Sequence, residues 1–162
     1  VLTLIDEYTR ECFRIRCRRS FPAKRVIDVL DEVMLCTGRK PEFIRSDNGP
    51  EFIAKEVKQW LGERGIGPRY IEPGAPWENG CIESFHAQLE AELLDRELFF
   101  DLQEMQAAVD EWQYLYNFKR PHGSLGNLPP AIAAQRGPAF RPFDSVEAAS
   151  TPVHAGQTPQ MN

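Results

Sequence analysis

The apolar positions of this chain repeat at two different periods, and the period changes several times along its first half. Val1–Glu7 is a short apolar run, and the segment ECFRIRCR alternates between apolar and polar residues. Alternation at every second residue is typical of a half-buried β-strand, so these segments predict a β-hairpin. The alternation gives the second strand two faces, one with Phe13, Ile15 and Cys17 and the other with Cys12, Arg14, Arg16 and Arg18. The arginine face has two interpretations, a solvated surface or a contact with nucleic-acid phosphates.

Helical spacing and strand-like runs alternate after the hairpin. Pro22 is a favourable first residue of a helix, apolar residues then recur at helical spacing, and Gly38 predicts the end of that helix. The next predicted elements are a strand over 42–47, a helix over 51–65 and a strand over 68–72. The order β-β-α-β-α-β predicts an α/β fold.

Two longer helices and a segment of different composition make up the remainder. Apolar stripes predict a helix over 82–98, which Asn79 can cap, and a helix over 102–118. From Gly137 onward Pro, Ala, Ser, Gln and Thr occur without any period, which predicts disorder. We therefore predict one domain over 1–136 and a disordered tail over 137–162.

Composition and charge narrow the classes of protein to consider. The chain has 162 residues, of which 42% are hydrophobic, and this suits one globular domain. It contains no run of about 18 apolar residues, so we expect no membrane span and a cytoplasmic location. The net charge of -5 argues mildly against a general nucleic-acid binder. The charge is segregated, however, because seven basic residues and one acid occupy 10–25 whereas acids crowd 83–111.

Two acidic residues lie where predicted elements begin or end. Asp47 ends a strand, Glu83 begins a helix, and 35 residues separate them. Carboxylates facing one cleft hold divalent ions in phosphoryl-transfer sites. The spacing alone is weak evidence among 24 acidic residues. Asp47 is equally compatible with a turn, and Glu83 with a solvated first-turn position that the helix dipole favours.

Three segments carry a resemblance to a known family. SDNGPEF around Asp47, WENGCIESF around Glu83 and the later YNFKRPHGSLGNLPP resemble, in this order, the catalytic core of insertion-sequence transposases closest to retroviral integrases. The match runs from Val1 to about Arg136. It implies a ribonuclease-H-like fold, a mixed sheet flanked by helices, with three metal-binding acids of which the last two lie about 35 residues apart.

The resemblance also implies roles for individual residues. Asp47 would be the second and Glu83 the third ligand of two Mg²⁺ or Mn²⁺ ions, and Asn79 with Gly80 would shape the loop before the catalytic helix. The candidate DNA contacts are Asn79, His86, Arg120 and His122. Considered as residues only, His86 also suits a structural histidine, and Arg120 also suits a cap of the preceding helix.

The chain departs from the family at its beginning. The family's first aspartate lies on a strand that precedes the one matched by Val1–Glu7, and we expect this strand and aspartate to be missing from this chain. In ribonuclease-H-like sheets that strand lies between those matched by 1–7 and 43–47, so two inner edges would be unpaired. We therefore expect the chain alone to be unstable and inactive. Asp6 ends its strand before a turn, which favours a turn role over substitution for the absent ligand.

A second departure lies on the helix of Glu83. Seven residues later, where the family usually has Lys or Arg, this chain has Glu90. Seven residues are nearly two helical turns, so Glu83 and Glu90 share a face. A carboxylate there would repel phosphate unless it faces a basic neighbour or Arg96 takes over the role.

These observations favour one function and leave two alternatives. The leading hypothesis is metal-dependent DNA strand transfer by a transposase core that binds double-stranded DNA, both element ends and target, as a homo-oligomer. One alternative is a ribonuclease-H-like nuclease that only hydrolyses. The other is a non-catalytic DNA-binding or subunit-interaction fragment, which the absent acid and Glu90 favour.

Overall fold

The computed structural model describes residues 1–71 and 80–136, and its elements follow the predicted order. The strands are β1 (Leu2–Ile5), β2 (Cys12–Arg16), β3 (Phe43–Ser46) and β4 (Gly67–Tyr70). The helices are α1 (Ala23–Thr37), α2 (Pro50–Ile53), α3 (Lys55–Glu63), α4 (Gly80–Leu89), α5 (Leu102–Phe118) and α6 (Pro130–Gln135). A π-helical segment, Glu90–Leu94, continues α4, and a 3₁₀ turn covers Gly123–Leu125. The predicted tail and the predicted cap Asn79 lie outside the described residues.

Hydrogen bonding joins the described strands in two separate pairs. β1 and β2 are antiparallel, whereas β3 and β4 are parallel with Phe43 opposite Gly67 and Ser46 opposite Tyr70. Within the described ranges, no strand lies between β1 and β3. Both strands instead line one cavity of about 880 Å³. The predicted gap between these two strands is therefore observed, and it divides the sheet into two ladders.

Helices cover both sides of the strands and form two apolar cores. The first core joins β2 to α4, its π-helical continuation and α5, and its residues are Cys12, Ile15, Cys17, Phe85, Leu89, Leu93, Val109, Trp112 and Tyr116. The second joins β1 to α1 and α3, and its residues are Leu2, Val26, Val29, Leu30, Val57, Trp60, Leu61 and Ile66. The 880 Å³ cavity is lined in part by residues of the second core, including Leu2, Val57 and Trp60. Protein interiors are normally packed without voids of this size.

A β-bulge changes the predicted faces of β2. Leu4 lies opposite Arg14 and Ile5 lies opposite Cys12, so Phe13 is an additional residue on β2. A bulge of this kind shifts the alternation of faces by one residue. Cys12 is consequently only 1% exposed and packs with the apolar core. Its predicted place on the arginine face was wrong.

The arginines of β2 pair within the chain. The guanidinium groups of Arg14 and Arg16 both contact Oε1 of Glu32 on α1, and Arg16 also contacts Oε2 at 2.7 Å. The hydrogen bond from Arg16 and the nearby positive charges lower the pKa of Glu32 below its usual range. These arginines therefore link β2 to α1. The two sequence interpretations, a solvated surface and a phosphate contact, did not include this role.

Amide side chains of α5 form hydrogen bonds with backbone N–H and C=O groups of β2 and of the residue that follows it. Gln106 accepts from the amide of Cys17 and donates to the carbonyl of Ile15. Gln113 donates to the carbonyl of Cys12, and the buried Asn117 pairs with both the N–H and the carbonyl of that residue. Exposed strand edges otherwise invite pairing with other chains. Here side chains of helix α5 satisfy the backbone hydrogen-bonding groups of the strand edge.

Two predicted helices have different bounds in the structure. The helix expected over 51–65 is divided by Ala54, whose extended conformation (ψ 144°) separates α2 from α3. The helix expected over 82–98 begins at Gly80, and regular α-helical bonding gives way to the π-helical segment after Leu89. Among the described helices, none is long and apolar enough to cross a membrane.

Candidate active site

The position of Asp47 is fixed by backbone bonds at the end of β3. The ladder between β3 and β4 continues past Ser46, whose carbonyl accepts from the amide of Ile71 at 3.2 Å. Nδ2 of Asn48 donates to the carbonyl of Ile71 at 3.1 Å. Asp47 lies between these two attachments, and its side chain is exposed and contributes to the rim of the 880 Å³ cavity. The amide of Gly49 donates to Oδ1 of Asp47 at 3.1 Å, so the carboxylate also makes the predicted turn contact.

Gly49 lies in a confined space beside this carboxylate. Its φ of -56° is one that any residue adopts, so backbone conformation does not demand glycine. A Cβ at this position would lie 3.0 Å from Oδ1 of Asp47 and 3.0 Å from Oε2 of Glu51. The two neighbouring carboxylates therefore favour a residue without a side chain at this position, while Pro50 starts α2.

The first turns of α4 lie at the same cavity as Asp47. Cys81, Ile82 and His86 line the cavity together with Asp47, and the exposed Glu83 belongs to the same helical segment. The apolar side of α4, with Phe85 and Leu89, packs into the first core and sets the orientation of the helix. The structure thus brings the strand end of Asp47 and the helix start of Glu83 to one cavity.

His86 faces β1 from α4. Its Nε2 lies 3.1 Å from Oγ1 of Thr3, and the ring is half-buried. Burial lowers the pKa of His86, and the negative charge of Glu90 opposes this shift only in part. The imidazole is therefore neutral near pH 7. Glu90 consequently has a histidine nearby, but this histidine is neutral near pH 7 and is not the positively charged neighbour that the sequence analysis considered.

Arg120 and His122 lie away from the cavity of Asp47. Arg120 pairs with Glu92 and approaches Oε1 of Gln88 at 3.4 Å. Burial alone would raise the pKa of Glu92, but the hydrogen bonds from Arg120 and Trp112 together lower it. The ring of His122 meets that of Tyr116 edge to face, with centroids 4.6 Å apart. These two candidate DNA contacts therefore share a region formed by α4 and α5.

Asp6 has the turn role that the sequence indicates. Its Oδ1 accepts from the amides of Tyr8 and Thr9 at 2.8 and 3.1 Å. Its backbone amide and carbonyl close the same turn with Glu11 and Arg10. The prediction of a turn residue is confirmed.

The donor chemistry for a divalent cation can be tested on the residues present. Asp47 and Glu83 offer carboxylate oxygens, which are the ligands that Mg²⁺ prefers. Over residues 1–71 and 80–136, no three or more His, Cys, Asp or Glu side chains form a group that could hold a metal ion. The described residues therefore offer two donors of the type that Mg²⁺ prefers. Two donors are fewer than a complete magnesium site needs.

Comparison with known proteins assigns the family. Residues 1–76 and residues 64–130 each match the Integrase core domain. The 39.2 kDa protein of insertion element IS476 from Xanthomonas euvesicatoria is 37% identical over 130 residues, which are 80% of this chain and 37% of that protein. The chain belongs to the integrase core family of insertion-sequence transposases. This confirms the resemblance carried by SDNGPEF, WENGCIESF and the RPH segment.

Other relatives agree with this assignment and are longer than the chain. The 31.7 kDa protein of IS407 from Burkholderia multivorans is 32% identical over 83% of this chain and 48% of that protein. The transposase of IS629 from Shigella sonnei is 25% identical over 82% of this chain and 45% of that protein. The chain thus spans less than half the length of these relatives.

Solved structures confirm the fold class of this integrase core. A chain in the simian T-cell lymphotropic virus intasome superposes with a TM-score of 0.68 at 15% identity, covering 99% of this chain and 52% of that one. The HTLV-2 integrase catalytic core domain, solved with magnesium in a trimeric form, gives 0.60 at 17% identity over 80% of both chains. The fold is ribonuclease-H-like, as the sequence resemblance implied.

The sequence interpretation missed several residues that shape this region. Asn48 was given no role of its own, yet its side chain holds the strand end beside Asp47. Arg10 was counted only as part of a basic segment, yet it lies near the start of α4. The signal for Asn48 was its place directly after Asp47. Arg10 carried no local signal, because apart from Ile5 its surroundings come from segments 70 or more residues away in sequence.

Proposed function

We propose that this chain supplies a catalytic core for DNA strand transfer, in which a 3′ hydroxyl of element DNA attacks a phosphodiester of target DNA. The observation that carries the proposal is the meeting of Asp47, at the end of β3, with the Glu83-bearing start of α4 at one cavity. Membership of the integrase core family supports the assignment of these two acids as metal ligands.

The chain's own residues have distinct tasks in this proposal. Asp47 and Glu83 would hold two Mg²⁺ or Mn²⁺ ions, which supply activation of the attacking oxygen and stabilisation of the leaving oxygen. Asn48 and Gly49 hold the strand end and leave room for the carboxylate of Asp47. The neutral His86 beside Thr3 adds no positive charge to the cavity at pH 7. No covalent bond between protein and DNA is required.

The proposed partners are double-stranded DNA and further copies of the same chain. Joining two element ends to one target requires more than one catalytic core. The HTLV-2 integrase core has been solved in trimeric and dimeric forms, and the similar simian virus chain belongs to an intasome. These forms support a homo-oligomer here, without fixing its number of subunits.

A second candidate function is DNA binding without turnover. The observation that favours it is the count of donors, because of the two candidate ligands Asp47 lines the cavity and Glu83 does not, and the described residues form no complete metal-binding group. The exposed Glu90 favours it as well, since its charge opposes close approach of phosphate near α4. A hydrolytic nuclease with the same acids is a third outcome of the same assay.

A strand-transfer assay with matched variants tests these functions. A labelled duplex with a free 3′ hydroxyl and a supercoiled plasmid are incubated with Mg²⁺ or Mn²⁺, using the chain alone and the chain extended by the residues encoded before Val1. We expect joined products from the extended chain only, and none after Asp47→Asn or Glu83→Gln. Glu97→Gln, an exposed acid beyond α4, is the control and should retain the products.

Each alternative has its own signature in this assay. Nicked or shortened DNA without joined products would indicate the nuclease. DNA retention without any product, for both the chain and its extended form, would indicate the non-catalytic fragment. Products that survive Asp47→Asn would refute the assignment of the metal ligands.

A further inference from the structure

A second cavity lies at the start of α4 and shares Ile5 and Cys81 with the cavity between β1 and β3. Its volume is about 290 Å³. The described residues that line it come from the β1–β2 turn, α4, α5 and the 3₁₀ turn, and those with polar side chains are Arg10, Cys81, Ser84, Gln88, Tyr116, His122 and Ser124. Ser84 follows Glu83 directly, so this cavity, here called the Arg10 cavity, adjoins the candidate active site.

Positive charge and hydroxyl groups converge on the Arg10 cavity. The guanidinium of Arg10 lies against the thiol of Cys81, and the positive charges of Arg10 and Arg120 both act on His122. Ser84 and Ser124 add two hydroxyl groups, and α4 begins at Gly80 on the cavity wall. Guanidinium, hydroxyl and helix-start N–H groups are the donors that bind phosphate oxygens.

His122 contributes a buried nitrogen that has no protein partner. One ring nitrogen bonds to the backbone of Tyr116, whereas Nε2 is buried and, among the described residues, makes no hydrogen bond. Buried polar atoms are nearly always satisfied, so this ring nitrogen beside a polar cavity is available to a water molecule or to an oxygen atom of a ligand.

The backbone of Arg10 is held in an unusual conformation. Its φ is 60°, in the left-handed region where long side chains are uncommon. Glycine or asparagine adopts this conformation more readily, so the turn itself gives no reason for arginine. Outliers of this kind cluster at functional sites. The guanidinium that points toward α4 is a reason to keep arginine here.

The acids near this cavity are already engaged. Asp6 accepts from two amides of its own turn, and Glu7 pairs with Arg45 at 3.4 Å. Glu92 pairs with Arg120. None of these three acids forms a described ion pair with Arg10, although Asp6 keeps its negative charge because its partners are neutral amides.

We propose that the Arg10 cavity binds one phosphodiester group of DNA, held by Arg10 and protonated His122 with the hydroxyl groups of Ser84 and Ser124. The inference rests on the proposed function, because it places the DNA backbone beside the helix that carries Glu83. Binding would pair Nε2 of His122 and would take up a proton there.

The pH dependence of DNA binding follows from the groups around His122. Burial and the charges of Arg10 and Arg120 lower the pKa of His122 in the free chain. Tyr116 from α5 and Cys81 from α4 are the other titratable groups facing it, and both are uncharged at neutral pH because burial raises their pKa values. A bound phosphate raises the pKa of His122, so binding strengthens as pH falls from about 8 to about 6.

The test uses the chain extended by the residues encoded before Val1 as the parent chain, because this form is expected to be stable. It measures the affinity of this parent chain for a labelled duplex across salt and pH at 4 °C. The variants are Arg10→Asn, which suits the left-handed backbone, Arg10→Lys, which keeps the charge, and His122→Gln. The control is Arg25→Gln, because Arg25 is an exposed arginine of α1 that pairs with Asp28 at 2.9 Å. Circular dichroism spectra matching that of the parent chain establish that each variant is folded.

We expect Arg10→Asn to weaken binding about ten-fold and to reduce the salt slope by about one, while Arg25→Gln leaves both unchanged. Arg10→Lys should restore the slope and part of the affinity, and His122→Gln should remove the pH dependence.

The outcomes that overturn the proposal differ from those that overturn the proposed function. If the parent chain binds no DNA, both fail. If it binds DNA and Arg10→Asn matches Arg25→Gln, the Arg10 cavity is not a DNA contact and the proposed function stands. If inorganic phosphate shifts the His122 ring resonances while the salt slope is insensitive to Arg10→Asn, the cavity is a site for small anions, and the DNA assignment is wrong.

Discussion

Extending the chain by the residues encoded immediately before Val1 is expected to give a protein that unfolds in one cooperative transition, which the chain alone should lack. The reason is the cavity of about 880 Å³ between β1 and β3. At about 24 cal/mol per Å³, a fully enclosed dry cavity of this size would cost about 20 kcal/mol, which is an upper bound here because the cavity opens to solvent beside the exposed Asp47. Whole domains are stable by only about 5–15 kcal/mol. Water entry or partial collapse must therefore relieve the cavity in the isolated chain.

Thermal unfolding of both forms tests this reasoning. A strand placed between β1 and β3 would fill the cavity and satisfy both inner edges, each new hydrogen bond contributing about 1 kcal/mol. Far-ultraviolet circular dichroism and tryptophan fluorescence should report one common midpoint for the extended chain and separate, broad changes for the chain alone. A Gly/Ser extension of equal length is the control. A soluble monomer of the chain alone with one sharp transition would refute the argument, as would equal stabilisation by the Gly/Ser control.

Four substitutions in the extended chain follow from other contacts. Gly49→Ala should lower Mn²⁺ affinity by crowding the carboxylate of the adjacent Asp47, whereas Gly62→Ala, with open space around its Cβ position, should leave it unchanged in a calorimetric titration. Asn117→Ala should reduce the free energy of unfolding in urea by about 1–3 kcal/mol, since a buried N–H of β2 loses its acceptor; no loss would contradict this. Glu90→Lys should strengthen DNA binding and steepen its salt dependence, and an unchanged affinity across a salt series would oppose it. Glu32→Gln should destabilise the protein above about pH 4.5 and match the parent at lower pH, because the lowered pKa makes the ion pair stabilising only while the carboxylate is charged; a difference independent of pH would exclude the ion pair.

The order of elements could be predicted because it depends on local patterns. Strict alternation gave the hairpin, and helical spacing between Pro22 and Gly38 gave α1, whose left-handed Gly38 ends it as expected. The bulge at Phe13 could not be predicted, because it depends on how β1 pairs with β2. The same holds for the bond of Gln106 to Cys17, since the two residues are 89 positions apart in sequence.

The candidate site was predictable only in part for a related reason. Asp47 and Glu83 stand in short segments that resemble a family, so local sequence carries their signal. Their common cavity depends on packing between distant elements. Arg120 shows the limit most clearly, because its contact with Glu92 depends on where α4 changes to π-helical bonding. The sequence indicates which residues carry the chemistry of this site more clearly than it indicates which side chains surround them.

The separation of the two strand ladders has a mechanical consequence for the candidate site. Asp47 follows β3, whereas Glu83 lies on a helix that packs against β2, and within the described residues no backbone ladder joins these two parts. Side-chain packing and ion pairs such as Arg45 with Glu7 are the observed links. Within the described residues, side-chain contacts hold these two parts together, and we expect hydrogen exchange to open β3–β4 at a lower free energy than β1–β2. A divalent cation bound by both acids would act as a cross-link between these two parts. Metal binding and the stability of the site against local opening would then be thermodynamically coupled.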